Sequence, residues 1–175
     1  SHRHGYTSFF FDITAQCRLA GEKNVIAVLV RNRGANSRWY AGSGLYRHVR
    51  LLVTDRVHVQ PWGLFVTTPS VSQNQALVRV STQFEYPAGK TGPLQIRIEL
   101  YNDRGLQVGT KTTAVSCDGS GQANLVQELW VKSPRLWSPE TPNLYKAVVS
   151  INANGMKLDE NQTSFGIRSI RRVER

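Results

Sequence analysis

The sequence predicts an all-β protein built from short strands. Apolar and polar residues alternate along much of the chain, which is the pattern of strands with one buried face. Apolar spacing typical of helices is scarce, and clusters of glycine, asparagine and proline recur at short intervals as turn signals. With 175 residues, of which 40% are hydrophobic, the chain can form one domain or, as we favour, two small β-domains.

Three strands are predicted in the first 54 residues, at 6–12, 24–32 and 45–54. Turn-forming residues at 21–24 and 34–37 separate them. No turn or cap precedes Tyr6, so we expect unpaired sheet edges and an apolar face that is only half covered. We therefore expect this segment to belong to a larger domain and to be the less stable part of the chain.

A second domain is predicted after a hinge at residues 55–61. Its strand candidates are residues 64–68, 75–84, 94–101, 107–115, 123–131, 145–153 and 156–165. About seven short strands separated by turns are typical of an immunoglobulin-like β-sandwich. The cysteine pair of antibody domains is absent, so the prediction concerns the architecture only.

Composition argues against several other classes of protein. The formal net charge is +10, from 22 Lys+Arg and 12 Asp+Glu, but the arginines are scattered, so nucleic-acid binding is the weakest hypothesis. No apolar run is long enough to span a bilayer. Cys17 and Cys117 are too few for a disulfide scaffold and are interpreted as buried thiols. His2 and His4 share a metal-like spacing but lie at an end of the chain that we expect to be frayed, and His48 and His58 have no partner at ligand distance in the sequence. Neither a metal nor a cofactor is therefore expected.

The most specific motif is the segment SRWYAGSGLYRHV at residues 37–49. Further motifs are GYTSF at 5–9, DIT at 12–14, LWSPETPNLY at 136–145 and FGIR at 165–168. Together they resemble the non-catalytic front part of glycoside hydrolase family 2, which includes β-galactosidases, β-glucuronidases and β-mannosidases. The resemblance covers residues 5–168.

The resemblance implies a domain order of jelly-roll sugar-binding domain, immunoglobulin-like sandwich and catalytic (β/α)8 barrel. Residues 1–54 would be the C-terminal part of the jelly roll, 55–61 a linker, 62–168 the sandwich and 169–175 the start of the connection to a barrel that is absent here. In the family both catalytic glutamates lie in that barrel, so no catalytic residue is expected in this chain. Glu85, Glu99, Glu128, Glu140 and Glu160 match no catalytic motif and are interpreted as surface charges.

The candidate substrate-binding residues are Arg38, Trp39 and Tyr40. An aromatic ring can stack on a pyranose while a guanidinium donates paired hydrogen bonds, and the resemblance places this loop beside the mouth of the barrel. The alternative is that Trp39 and Tyr40 cover a domain seam. In some β-galactosidases of the family a carboxylate just before this tryptophan helps to hold a cation, and the comparable position here is Ser37 or Asn36. This departure argues against a metal role.

Trp137 also has two interpretations, an exposed sugar platform or, as we favour, a core anchor before a strand. The resemblance implies that the parent protein is a retaining glycosidase of β-galactosidase type acting on terminal β-glycosides, and that this portion alone is inactive. Its expected partners are its own barrel and a β-glycoside substrate, with no nucleic acid and no membrane, and a homo-oligomeric parent enzyme is compatible with this. The alternative hypothesis is a stand-alone β-sandwich module that binds glycans or proteins.

Overall fold

A computed structural model describes residues 2, 6–18, 21–31, 44–89 and 91–170 of the chain. The chain divides into two compact units, Ser1–Leu52 and Val53–Arg175. Across the described residues no helix is long and apolar enough to cross a membrane.

The described residues of the first unit contain a single regular element, a 3-10 turn at Thr14–Gln16. The Asp12 carboxylate accepts a hydrogen bond from the Thr14 backbone at 2.8 Å, and the Asn24 amide contacts both backbone groups of Arg18 at 2.8 and 2.9 Å. The Asn24 contacts hold the predicted turn at 21–24, whereas the predicted turn at 34–37 lies outside the described residues.

The three predicted strands of this unit are wrong as strands wherever the structure describes them. Residues 6–12, 24–31 and 45–54 have no ladder partner among the described residues, and their apolar side chains stay exposed, such as Val25 at 77% and Leu29 at 76%. An apolar segment forms a stable strand only when another strand takes up its backbone hydrogen bonds and another surface covers its apolar face. A strand-forming sequence is therefore not sufficient on its own to form a strand.

The second unit contains seven strands in two antiparallel sheets, which confirms the all-β class and the sandwich. One sheet has the order β1-β2-β5 and the other β4-β3-β6-β7. The strands are β1 (His58–Val71), β2 (Gln75–Glu85), β3 (Thr91–Tyr101), β4 (Gln107–Asp118), β5 (Gln122–Lys132), β6 (Tyr145–Ala153) and β7 (Met156–Phe165).

The first strand begins before its predicted start. The sequence predicts a strand at 64–68, preceded by a linker at 55–61, whereas β1 begins at His58. Val57 and Val59 are each only 4% exposed and belong to the core of the sandwich. The chain therefore enters the sandwich within the segment that the sequence predicts as a linker.

The core lies between the two sheets. Burial alternates along β2, where Ala76, Val78 and Val80 point inward. Strands of the opposite sheet contribute fully buried side chains such as Ile96 and Val149. This alternation is the pleat of a sheet with one face on a core and one face in water.

Polar groups link parts of the sandwich that share no ladder. The buried Gln127 of β5 donates its amide to the Thr113 hydroxyl at 2.9 Å and to the Ile96 carbonyl at 3.4 Å, both in the other sheet. At another edge, Asp159 of β7 accepts from the Val59 backbone at 2.8 Å. These bonds fix the two sheets relative to each other.

Candidate functional site

The predicted substrate-binding residues Arg38, Trp39 and Tyr40 lie outside the described residues, and their role stays a prediction. The described chain resumes at Gly44. The Arg47 guanidinium lies 5.3 Å from the centroid of the Tyr46 ring, close enough for a cation–π contact. Arg47 itself has a φ of 66°, which is uncommon for a residue other than glycine.

Trp137 lies at the end of the sandwich where the chain leaves β7. Its backbone N–H donates to the Ile167 carbonyl at 2.9 Å, and the Arg168 guanidinium lies 4.7 Å from its ring centroid. Gly166 approaches so closely that a Cβ there would be 2.8 Å from Trp137 Cγ. The half-buried ring is engaged on the protein itself, so the structure favours the anchor interpretation over the exposed platform.

Several hydrogen bonds hold this corner together. The Thr68 hydroxyl donates to the Arg168 carbonyl at 3.0 Å, and the Asn143 amide donates to the Leu136 carbonyl at 2.9 Å. The Tyr145 hydroxyl accepts from the Arg135 backbone at 2.9 Å. A segment with two prolines, Pro139 and Pro142, is thereby attached to the end of the sandwich.

A shallow groove of about 600 Å³ lies along this corner. Its lining includes Thr68 of β1, the Trp137 ring and, from the segment that follows β7, Gly166, Arg168 and Ile170. Arg168 supplies a positive charge beside an aromatic ring, and Ile170 is 81% exposed. The groove combines apolar area with one cation, which suits an apolar, partly acidic partner surface.

The carboxylates are engaged in surface contacts. Glu99 pairs with Arg97 and Glu128 pairs with Arg79, both at 2.7 Å, while Glu160 pairs with Lys157 at 2.8 Å. These contacts fit the interpretation of the glutamates as surface charges. Within the described ranges, no group of three or more His, Cys, Asp or Glu side chains is placed to hold a metal ion.

Two carboxyl groups have clearly lowered pKa values. The Tyr86 hydroxyl, 2.6 Å from Asp118, and the Ser120 hydroxyl and backbone lower the pKa of Asp118 to about 2. The pKa of Glu140 is lowered by its own backbone N–H and by the Ser138 hydroxyl. Lowered values suit structural caps and turns, because a general acid of a glycosidase needs a raised pKa.

Two structural features were not predicted from the sequence. The contact between Trp137 and Arg168 joins residues far apart in the chain, so only the topology of the sandwich reveals it. The sequence predicts that the linker ends at Pro61 and the sandwich begins at Trp62, whereas both residues lie in a bulge inside β1. The glycine that follows, Gly63, was the available signal, because glycine in a strand often marks a bulge.

Comparisons with known proteins agree with this architecture. The family model described as glycosyl hydrolases family 2 matches residues 57–168. A β-galactosidase of Bacteroides ovatus is 35% identical over 168 residues, covering 95% of this chain. A Formosa agariphila protein provisionally named a β-glucuronidase is 34% identical over 168 residues, again covering 95% of this chain.

A solved structure gives the same result. The crystal structure of a glycosyl hydrolase family 2 member from Bacteroides cellulosilyticus is 34% identical, with a TM-score of 0.78 over 81% of this chain and 20% of its own. The chain spans 20% of the Bacteroides ovatus relative and 15% of the Formosa agariphila relative. Since the family model covers more than half of the chain and includes all seven strands, this chain belongs to glycosyl hydrolases family 2.

Proposed function

We propose that this chain is the non-catalytic portion of a retaining glycoside hydrolase, of β-galactosidase type, that hydrolyses terminal β-glycosides. The observation that carries the proposal is that a family 2 sandwich accounts for residues 57–168 while the relatives are several times longer. A (β/α)8 barrel needs about 250 residues, which is more than this chain contains. The sandwich would support that barrel and the first unit would belong to a jelly-roll domain.

The chemistry of the described carboxylates supports a non-catalytic role. Retaining hydrolysis needs two carboxyl groups about 5 Å apart across the sugar, one of them with a raised pKa. Here Glu99, Glu128 and Glu160 neutralise neighbouring cations, and the pKa of Asp118 and of Glu140 is lowered. With their pKa lowered, Asp118 and Glu140 are poor proton donors near neutral pH.

The groove at Trp137 is the surface we assign to the barrel. It contains the segment that follows β7, so a domain connected there would come to lie against Trp137, Arg168 and Ile170. Arg38, Trp39 and Tyr40 would complete a substrate subsite beside that domain. The exposed apolar segments at 24–31 and 45–54 would pair with further strands of the jelly roll.

Activity assays test the proposal directly. The purified 175-residue chain should hydrolyse neither nitrophenyl β-galactoside nor nitrophenyl β-glucuronide above the rate in buffer. Hydrolysis that disappears when Glu85, Glu99 or Glu140 is replaced by glutamine would overturn it.

The coding DNA on both sides of the segment provides a second test. A reading frame that continues past Arg175 into a barrel with paired glutamates is the expected result. The full-length product should then hydrolyse one of the two substrates, and the preferred one identifies the sugar. A stop codon directly after Arg175 would instead favour the stand-alone binding module.

A further inference from the structure

The first strand carries a large irregularity on the outer face of the three-stranded sheet. Val59 pairs with Phe84 and Leu64 pairs with Thr82, so residues 60–63 of β1 lie opposite Gln83 alone. A bulge of this kind bends the strand and turns a side chain in a new direction, and such bulges are frequent beside binding sites. The side chain turned outward here is Trp62.

Trp62 is held in a conformation that its side chain disfavours. Its φ is 59°, in the left-handed region, where a bulky residue is a genuine outlier. Its neighbours enforce this geometry. Pro61 has a fixed φ, and Gly63 lies so close to β2 that a Cβ on it would be 2.5 Å from the Gln83 carbonyl oxygen. Strain of this kind persists where the surroundings over-determine it, and it is concentrated at ligand sites.

The strained residue is largely exposed. Trp62 is 65% exposed, although burial of an indole is among the most stabilising contributions a side chain can make. The fold thus places a large aromatic ring at the surface, in a costly backbone conformation.

An ordered polar cluster lies at the same end of the sheet. Glu85 of β2 is opposite His58 of β1, and one of its carboxylate oxygens accepts from the Gln60 amide at 3.1 Å. Its other oxygen is 3.9 Å from His58 Nε2. The Glu85 side chain remains 48% exposed, so its remaining acceptor positions face solvent in a fixed orientation.

We propose that Trp62, Gln60 and Glu85 form a saccharide-binding site on the outer face of the three-stranded sheet. The indole would stack on the apolar face of a pyranose, the Glu85 carboxylate would accept hydrogen bonds from sugar hydroxyls, and the Gln60 amide would both donate and accept. Gln83 and Asn124, which pair with each other, extend the row of exposed amides along the sheet.

A saccharide suits this chemistry better than a protein partner does. The centre of a protein interface is depleted in charged residues, whereas a carboxylate and amides surround the ring here. The more apolar part of the same sheet face lies further along, at Phe65, Val126 and Trp130, which are 66%, 53% and 52% exposed. Trp130 lies in a regular stretch of β5 opposite Leu77, which makes it a matched control.

The test uses the 175-residue chain labelled with nitrogen-15 and titrated with β-1,4-galactotetraose and, separately, cellotetraose. The indole N–H signal of Trp62, assigned from the Trp62→Asn variant, should shift in a saturable way with at least one probe, while that of Trp130 stays in place. Asparagine tolerates the left-handed region, so Trp62→Asn should keep the thermal midpoint of the parent chain.

The variants decide between the outcomes. Trp62→Asn and Glu85→Gln should each weaken binding by about tenfold or more, and Trp130→Ala should leave it unchanged. No shift of the Trp62 signal at millimolar concentrations of either probe would overturn the proposal. Binding of either probe by Trp62→Asn that is as tight as binding by the parent chain would overturn it as well. So would self-association of the parent chain that only Trp62→Asn abolishes, because Trp62 would then be a protein contact. The assignment of the parent glycosidase does not depend on this result.

Discussion

The two units of this chain have the same kind of sequence and different outcomes. Residues 25–30 form an unbroken apolar run, yet Leu29 is 76% exposed whereas Val78 of β2 is fully buried. The difference is pairing, because β2 lies between β1 and β5 and every residue from Gln75 to Glu85 has a partner on β5. A strand-forming sequence therefore becomes a buried strand only where neighbouring strands and a covering surface exist.

Hydrogen exchange should show the largest contrast between the units. Amides of β2, β3 and β6, which pair on both sides or lie over the core, should exchange several orders of magnitude more slowly than those of residues 24–31 and 45–52. Mass spectrometry of peptides after timed labelling measures this. Uniformly slow exchange across both units would contradict the comparison.

The same substitution made in both units should give unequal losses of stability. Leu94→Ala removes a fully buried side chain and should lower the free energy of unfolding by about 2–5 kcal/mol. Leu29→Ala, at a side chain that is 76% exposed, should change it by less than about 0.5 kcal/mol. Urea denaturation followed by tryptophan fluorescence measures both. Similar losses would mean that the first unit has a core of its own.

Gly166→Ala tests the corner around Trp137. Its new Cβ would be 2.8 and 2.9 Å from Trp137 Cγ and Cβ, so we expect a loss of about 1–3 kcal/mol in the free energy of unfolding. Gly109→Ala is the control, because a Cβ there is no nearer than 3.4 Å to any neighbour and should cost much less. In a double-mutant cycle, Trp137→Ala should remove most of the penalty.

Acid titration should give the smallest effect. The pKa of Asp118 is about 2 in the folded chain and near 3.8 when unperturbed, so its contribution to stability is present above pH 3.8 and is lost as the pH falls towards 2. Asp118→Asn should therefore lower the thermal midpoint at pH 6 and leave it closer to that of the parent chain at pH 2. An equal loss at both pH values would contradict the role of Asp118.

The sequence predicted the fold of the sandwich well, whereas its long-range side-chain contacts could not be predicted. The structure places β6 and β7 at the predicted bounds, because glycine and asparagine at the Asn154-Gly155 turn mark the hairpin without ambiguity. The start of β1 was not predicted, because residues such as Pro61 and Gly63, which break a regular strand, can also build a bulge within one. The position of Arg168 on the Trp137 ring depends on the topology and cannot be read from local pattern.

Membership of the family could be recognised from the sequence because its motifs are short and contiguous. The motifs at 136–145 and 165–168 form one corner of the sandwich, where Trp137 lies so close to Gly166 that a side chain on residue 166 would clash with it. The role of Arg38, Trp39 and Tyr40 stays a prediction, since those residues lie outside the part of the chain that the structure describes.

The buried Gln127 amide restricts how the two sheets of the sandwich can be aligned. Apolar faces can slide over one another at little cost, because the dispersion attraction given up at one position is regained at the next. A buried amide cannot, since displacing it from Thr113 and the Ile96 carbonyl would leave a donor without a partner, at about 1–3 kcal/mol. One glutamine thus makes a single offset between the two sheets the favoured one, and the chain becomes intolerant of insertions in β5 or β3 that would shift it.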